Sequence, residues 1–541
     1  MHDFSVKRFL FPIALLFLSI YFLFSAWVAD DAYITFRTVE NFYQGYGLRW
    51  NIIERVQSYT HPLWMINLLI GKLFIDDIYY LSLLLSFIYS ILTLYILYIL
   101  TDKKPLYFSL YFLLFISSKP VLDFMSSGLE NSLSYFLIAL FFYSLLRLRN
   151  YKYFYLITSI ILSCMFLTRM DLIIAFLPIA MYLYFYQPIK INTLKSSIWQ
   201  GFLGFLPVVF WSLFAIYYYG SFFANSVIAK TNTGLPLVIL QGQGIQFLYA
   251  NLIYEPYTII FITITALCFI FSKNIYSKLL AIGIVLYILY VVNVGGDYMY
   301  GRFLTTPFII SLLLLTIYIK QASQNFIRLL FFISIFLAIF NLYQYTTKHI
   351  SSFEINSTGF ADERAFYYRT TGLLPNLLNQ NISIADHFSE TVTMFDSELA
   401  DNDPVLLYNM GFNGYIASQV FPEKYIVDSL GLTNAYLAAH PINYGYWRIG
   451  HFRREPSLGY INSIKLNRNV LSSTHDHYVY EQVKLLSQAP LNEKHRFKAI
   501  INWHNGTTFA AAEKAFAEYP HDLLINHSQA DFKNYWYPKY K

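Results

Sequence analysis

From Met1 to Tyr343 the chain alternates long apolar runs with short polar breaks, whereas from Thr346 to Lys541 apolar and polar residues mix as in an ordinary water-soluble fold. Eleven runs fall near residues 9–28, 79–100, 106–118, 132–148, 153–167, 171–187, 199–218, 257–272, 278–293, 304–319 and 326–343. Each predicts a helix that crosses a hydrocarbon core of about 30 Å. The run from Pro62 to Ile75 is too short for that and predicts an interfacial helix or half-span. Alternating stretches such as Pro404–Tyr408 and Lys424–Val427, with a helix-like stretch at Ala510–Tyr519, predict an α/β or α+β soluble domain. The expected architecture is a polytopic α-helical membrane domain over residues 1–343 followed by a soluble domain over 344–541.

Composition agrees with this division. The 541 residues are 56% hydrophobic, 20% aromatic and 13% charged, about half the charge of a soluble chain. Lys7 and Arg8, Lys103 and Lys104, Arg147, Arg149 and Lys152, Lys190 and Lys195, Lys273 and Lys278, and Lys320 and Arg328 all fall in alternate loops. The positive-inside rule makes those loops cytoplasmic, and an odd number of spans then places the C-terminal domain outside. The expected location is the bacterial inner or plasma membrane, with that domain in the periplasm or its equivalent and the first helix retained as a signal anchor. The net charge of +6 is explained by topology and does not point to nucleic acid. Cys164 and Cys268 lie inside apolar runs, so the C-terminal domain folds without disulfides.

The opposite, external face receives the loop 29–61 and the unusual polar residues of the first region. Asp30 and Asp31 follow the first helix directly, and an acidic pair there suits a general base with its orienting neighbour, a divalent cation site, or a solvated stop after a helix. Arg37, His61, Glu130, Arg169, Asp171, Lys230, Asp297 and Arg302 share that face, several at ends of apolar runs where an ionised group is costly without a partner. Trp50 and Asn51 sit in an aromatic, glycine-containing stretch of the same loop, suited to holding a sugar against a membrane or to forming an interfacial aromatic belt. Tyr444, Tyr446, Trp447, Trp503 and Trp536 offer further aromatic surface for a glycan, or core. No zinc-type His/Cys spacing occurs.

Several blocks, in order, resemble a known family. Asp30-Asp31-Ala-Tyr-Ile-Thr-Phe-Arg37, Gly45-x-Gly47-Leu-x-Trp-Asn51 and Ser58-Tyr-Thr-His-Pro-Leu-Trp64 are similar to the first external loop of the terminal arabinofuranosyltransferases of mycobacterial cell-wall glycans, in the glycosyltransferase C superfamily. Ser127-Gly-Leu-Glu130, Thr168-Arg-Met-Asp171, Gly295-Gly-Asp-Tyr-Met-Tyr-Gly-Arg-Phe303, Val427-Asp-Ser-Leu-Gly-Leu-Thr433 and Ile449-Gly-His451 extend the resemblance, with Met170 where the family often has Pro. The resemblance implies inverting transfer of a sugar, arabinofuranose or another, from a polyprenyl-phosphate donor to an envelope glycan outside the membrane. On that reading Asp30 or Asp31 is the base, with Asp30 favoured as the first acid after helix one. Arg169, Arg302 and Lys230 hold the donor phosphate, and Arg37, Trp50, Asn51, His61, Glu130, Asp171 and Asp297 bind substrate. A divalent cation is compatible but not required, since arginine alone can balance a monophosphate. A transporter or flippase for a lipid-linked sugar, and a non-catalytic envelope-assembly protein, are the alternatives. Absence of internal repeats and of midplane charges weighs against transport.

Overall fold

The computed structural model describes residues 2–186, 194–319, 322–347, 359–381, 405–408, 414–415, 418, 422–442 and 447–518. Lys190, Lys320, Pro404, Tyr444, Tyr446, Tyr519 and Trp536 lie outside the described residues. The first nine helices are α1 (His2–Ser25), α2 (Asp30–Tyr43), α3 (Pro62–Lys72), α4 (Ile78–Leu100), α5 (Pro105–Ser117), α6 (Lys119–Met125), α7 (Asn131–Arg147), α8 (Phe154–Thr168) and α9 (Leu172–Met181). Then come α10 (Leu194–Gly204), α11 (Leu206–Tyr219), α12 (Asn225–Thr231), α13 (Leu237–Tyr254), α14 (Pro256–Ile270), α15 (Ile275–Asn293), α16 (Thr305–Tyr318) and α17 (Gln324–Thr347).

Over their described residues all eleven apolar runs are helical, with the run 199–218 divided between α10 and α11 and the run 171–187 ending in a π-helical turn at Tyr182–Tyr186. By length and apolarity α4, α15 and α17 can cross a membrane alone, and the number rises from three to seven if each bent pair counts as one span. The bent pairs are α1 with α2 (93°), α5 with α6 (80°), α10 with α11 (41°) and α13 with α14 (114°). The remaining apolar helices are shorter than a span, so the eleven predicted crossings are not met on length alone. The Pro62–Lys72 helix is short, as the sequence indicates. Local chemistry fixes the helix starts: the Asp77 carboxylate accepts from the amides of Tyr79 and Tyr80 at the head of α4, and Asn274 does the same for Tyr276 and Ser277 at α15. Pro stands in the first turn of α3, α5, α11 and α14, where its missing N–H costs nothing. Phe9, Phe210, Phe271, Phe332 and Phe336 are exposed, as side chains facing lipid would be.

Past residue 358 the described elements are α18 (Glu363–Thr371), α19 (Leu373–Leu377), β1 (Val405–Tyr408), β2 (Tyr425–Asp428), α20 (Ala435–Ala439), α21 (Leu458–Lys465), α22 (Thr474–Ser487), α23 (Lys494–His504) and α24 (Thr507–Glu518). The α/β expectation is corrected here. Among the described residues the strands are only β1 and β2, a parallel pair with Val405 opposite Tyr425 and Tyr408 opposite Asp428. All four β2 residues are buried, so β2 is an isolated core ladder and not part of a half-exposed sheet. Trp503 is buried on Phe509 and Trp447 stacks on Phe452, so these two aromatics pack internally.

This region is bonded directly to the helix breaks of the first. The Leu373 amide donates to Ala26 O (2.9 Å), the Thr371 hydroxyl donates to Val28 O (2.7 Å), and Arg364 donates to Phe24 O and Ser25 O. Lys119 bridges Asp123 (2.5 Å) and Asp362 (3.1 Å) across the same seam. Arg454, fully buried, donates to the carbonyls of Ala229 and Asn232 at the C-terminal end of α12 and to those of Leu430, His440 and Phe452. Burying an arginine costs several kcal/mol unless its donors are satisfied, and here five carbonyls satisfy them.

Candidate active site

Four chain breaks converge where α1 ends: Ala26–Ala29, the turn before Glu130, the Arg169–Asp171 turn, and the loop Gly295–Arg302. The Ala29 amide donates to Ser127 O (2.9 Å), and Trp64 Nε1 donates to Gly128 O (3.0 Å). Gly128 has φ +73°, and a Cβ there would stand 2.9 Å from Val28 Cγ1, so only glycine lets this turn approach the start of α2. Asp30 and Asp31 form the first turn of α2, where the helix dipole favours negative charge. α2 turns at about a right angle (93°) to α1.

The two acids are used differently. Asp30 is buried, and its two carboxylate oxygens accept the amides of Gly414 (3.1 Å) and Tyr415 (2.8 Å). A Cβ on Gly414 would meet Asp30 O at 1.9 Å, so this close approach also needs glycine. Burial raises the Asp30 carboxyl to about 7, against the pull of those two amides. Asp31 is more open and stands 3.4 Å from Arg302 Nη1.

Arg302 begins a chain of charges. Its Nη2 is 3.4 Å from Glu130 Oε1, Arg169 Nη1 is 3.8 Å from the same oxygen, and His61 Nδ1 is 3.1 Å from Glu130 Oε2. Burial alone would raise the Glu130 carboxyl, but His61, Arg302 and Arg169 together hold it well below the usual range. His61 Nε2 bonds Thr35 Oγ1 (2.8 Å). Arg169 forms a forked pair with Asp171 (3.1 and 2.7 Å), which also accepts from Tyr287 (2.7 Å). Arg302 Nε, Arg169 Nη1 and Asp297 Oδ2 are buried with no hydrogen-bond partner among the described residues. Such groups are rare in folded proteins and collect where ligands or water bind. Burial raises the Asp297 carboxyl against the pull of Arg302 and Lys230.

A small hollow, partly open to solvent, lies beside this network, lined from the first region by Asp30, Asp31, Ile34, Lys230 and Tyr298. The C-terminal region supplies the rest of its wall, through Leu430, Leu432, Gly450 and His451. Tyr298 meets His451 edge to face at 4.4 Å, and its ring lies 4.9 Å from the Arg448 guanidinium, which faces Glu363 at 3.6 Å. Burial, helped by Arg448, keeps the His451 ring well below the usual imidazole range and so uncharged.

The structure thus brings together Asp30, Asp31, Lys230, Arg302, Glu130, Arg169, Asp171, His61 and Asp297, and separates three other predicted residues. Arg37 donates to Trp50 O (3.0 Å) and lies 5.5 Å from the Trp50 ring, and both are buried. Asn51 pairs with β2, accepting from Ile426 N (3.1 Å) and donating to Ile426 O (3.0 Å). None of the three lines the hollow. Sequence reasoning gave no role to Tyr298, His451 or Leu430, although each lies in a block quoted for the resemblance. Glu363 and the Gly414–Tyr415 amides carried no signal at all. Among the described residues no three His, Cys, Asp or Glu side chains are grouped so as to hold a metal ion.

The chain is 27% identical over 228 residues to the terminal beta-(1->2)-arabinofuranosyltransferase of Mycobacterium tuberculosis, a match covering 38% of this chain and 35% of that protein. The chain is a distant relative of that enzyme. The matched part spans about a third of the relative's length. No family model matches, and no solved structure matches. Together with the long apolar helices, the relationship makes this an integral membrane protein of glycosyltransferase-like sequence.

Proposed function

We propose that the protein is a membrane glycosyltransferase that moves a sugar from a polyprenyl-phosphate donor to a hydroxyl of an envelope glycan on the outer face of the membrane. The observation that carries this reading is one hollow holding an acidic pair and Lys230, with Arg302 bound to its more open acid. Carboxylate and cations are the two groups that transfer from a phosphate leaving group requires.

In the proposed step a carboxylate takes the acceptor hydroxyl proton, and the oxygen forms a bond to the anomeric carbon on the face opposite the phosphate. The bond from that carbon to the phosphate oxygen breaks, and its electron pair leaves with the lipid phosphate toward Arg302 and Lys230. Geometry decides between the acids before acidity does. Asp30 has both oxygens bonded to amides, so Asp31 is assigned as the base and Asp30 as the anchor of the Gly414–Tyr415 turn. Glu130 fixes Arg302 and Arg169, and the distant relationship to an arabinofuranosyltransferase supports sugar transfer as the reaction class.

The test supplies membranes holding the full chain with polyprenyl-phosphate sugars labelled in the sugar, pentose and hexose in parallel, and measures label entering the host's envelope glycan. One donor is expected to transfer in the wild type and not in Asp31→Asn. No transfer from any donor, with no change in the glycan when the gene is removed, overturns the proposal.

A further inference from the structure

Tyr298 belongs to the Gly295–Arg302 loop, and no step of the proposed reaction uses it. It is buried, yet it lines the hollow with Asp31 and Lys230, and among the described residues its hydroxyl has no hydrogen-bond partner. A second small hollow, lined by Glu54 and by Tyr425, Tyr436, Tyr460 and Tyr480, makes the contrast. There the rings pack on one another, Tyr436 on Tyr460 at 4.0 Å, and hydroxyls are bonded inside the chain. Tyr425 donates to Glu54 Oε1 (2.9 Å), Tyr436 donates to Asp476, and Tyr460 accepts from Asn434 (2.7 Å). Tyr111 and Tyr257 have unbonded hydroxyls as well, but they line neither hollow. A buried hydroxyl without a partner costs stability that phenylalanine would not cost, so at Tyr298 the group calls for a partner from outside the chain.

The Tyr298 ring is held in place. His451 meets it edge to face at 4.4 Å, and the Arg448 guanidinium lies 4.9 Å from its centre. Gly450 has φ +76°, and a Cβ there would stand 2.9 Å from Tyr298 Cδ1 and 4.0 Å from Lys230 Cε. The same glycine therefore brings the Tyr298 ring and the Lys230 side chain together. On the backbone, Tyr298 O accepts from Ala361 N (3.0 Å), and Tyr300 N donates to Ala361 O (3.1 Å). Arg302 follows in the same loop and acts electrostatically on the phenol. Tyr298 thus neighbours both cations toward which the lipid phosphate is proposed to leave. Burial, with Asp31, Glu363 and Asp297 nearby, raises the phenol well above its usual value, so the hydroxyl keeps its proton and is available as a donor.

We infer that the Tyr298 hydroxyl is a further catalytic group of the transfer, a hydrogen-bond donor to the lipid-phosphate oxygen that leaves the sugar. The inference rests on the glycosyltransferase reading. A sugar joined to a polyprenyl phosphate is a singly charged phosphodiester, and breaking the bond from its anomeric carbon leaves a doubly charged monoester. Tyr298 donates to the departing oxygen as the electron pair arrives there and keeps its own proton, while the proton of the acceptor hydroxyl goes to the carboxylate. A donor fixed where charge develops binds the transition state more strongly than the bound donor lipid, so its effect falls on kcat and not on KM. The hollow is small, which suits one phosphate oxygen and not a sugar ring.

The test measures sugar transfer by the full chain in nanodiscs and, in parallel, fluorine NMR of the full chain carrying 3-fluorotyrosine at position 298. Tyr298→Phe keeps the ring and its contacts with His451, Arg448 and Gly450. It is expected to lose about 10²-fold in kcat, with KM for the donor near the wild-type value and a melting temperature equal to or above it. The fluorine resonance is expected to shift on addition of polyprenyl monophosphate and to stay in place with the matching polyprenol. A wild-type kcat in Tyr298→Phe, a rate loss accompanied by a fall in melting temperature, or a resonance that does not respond to the monophosphate overturns the inference, and the glycosyltransferase reading stands as long as the wild type transfers sugar. A resonance that responds to the monophosphate and not to the polyprenol, in a chain that transfers sugar from no donor, keeps Tyr298 as a lipid-phosphate contact and overturns the glycosyltransferase reading.

Discussion

The two hollows lined by residues of Tyr425–Leu432 both draw on the stretch 29–61 and on the C-terminal region, but only one of them also takes residues of the helical region, Lys230 and Tyr298, and their chemistry is opposite. One joins two acids to Lys230 and the Arg302–Glu130–Arg169 chain, with buried polar atoms that have no hydrogen-bond partner among the described residues. The other is a fixed set of tyrosine rings around one carboxyl, whose hydroxyls are bonded internally. The contrast teaches that charge is concentrated where a charged group is proposed to leave, while the tyrosine rings are packed on one another as core around the buried Glu54. Each prediction below breaks or sharpens that division.

The largest effect is expected at Asp31. Removing a positioned base costs about 10²–10⁴-fold in rate, so Asp31→Asn should lose that much sugar transfer while its melting temperature stays close to wild type. The comparison breaks if Asp30→Asn shows the larger rate loss, because Asp30 would then act chemically despite its two amide bonds. Arg302→Gln comes next. Loss of one preorganised donor to a developing anion costs about 10²–10³ in kcat. Arg302→Lys should recover part of it, as a cation without the planar fork. An unchanged kcat in Arg302→Gln would leave Arg302 as a partner for Asp31 and Glu130 alone.

These residues were legible in sequence for a physical reason. Asp30, Asp31, Glu130, Arg169 and Arg302 stand at the ends of apolar runs, where an unpartnered charge is too costly to be incidental. What sequence could not give is which acid would be capped, because the amides of Gly414 and Tyr415 arrive from a distant part of the chain. The helices were legible as apolar runs, but the bends that shorten them, such as the 93° turn between α1 and α2, depend on tertiary packing. Arg37, Trp50 and Asn51 show a further limit: the side chains that bind a sugar are also those that pin a loop, and here they bond to each other and to β2. The stretches read as strands, Pro404–Tyr408 and Lys424–Val427, are where β1 and β2 form, but the fold class was overread because two strands make no sheet layer where, among the described residues, the other elements are helices.

A smaller effect, and one that reads both hollows at once, is the dependence of stability on pH. Asp30 rises from an ordinary 3.8 to about 7, and Glu54 from 4.5 to about 7, both through burial. A raised acid binds more protons folded than unfolded between its two values, so stability must fall as pH rises through that window, by about 1.4 kcal/mol per pH unit for each group. Glu130, held low, acts in the opposite sense below 4.5, and His451, held uncharged by burial, opposes the decline below about 6.5, so two raised acids outweigh one lowered imidazole between pH 5 and pH 7. The apparent melting temperature in nanodiscs should therefore decline from pH 5 to pH 7. Asp30→Asn and Glu54→Gln should each flatten that decline, and a wild-type profile that rises over the same range would contradict the burial assigned to both acids.

The smallest effect is expected at Asn51, and it sharpens the comparison most finely because Asn51 stands between the hollows without lining either. Its side chain completes both hydrogen bonds of Ile426, as a neighbouring strand would, and donates to Glu54. Asn51→Ala leaves a buried backbone amide and carbonyl unpaired, which costs about 1–3 kcal/mol of stability. If Asn51 only fixes the loop to β2, the melting temperature falls while KM for the donor stays at the wild-type value. If it binds substrate, KM rises and Asn51→Asp, which keeps an acceptor for Ile426 N but adds charge beside Glu54, raises it further. A KM change without loss of stability would move Asn51 out of the scaffold and into the site.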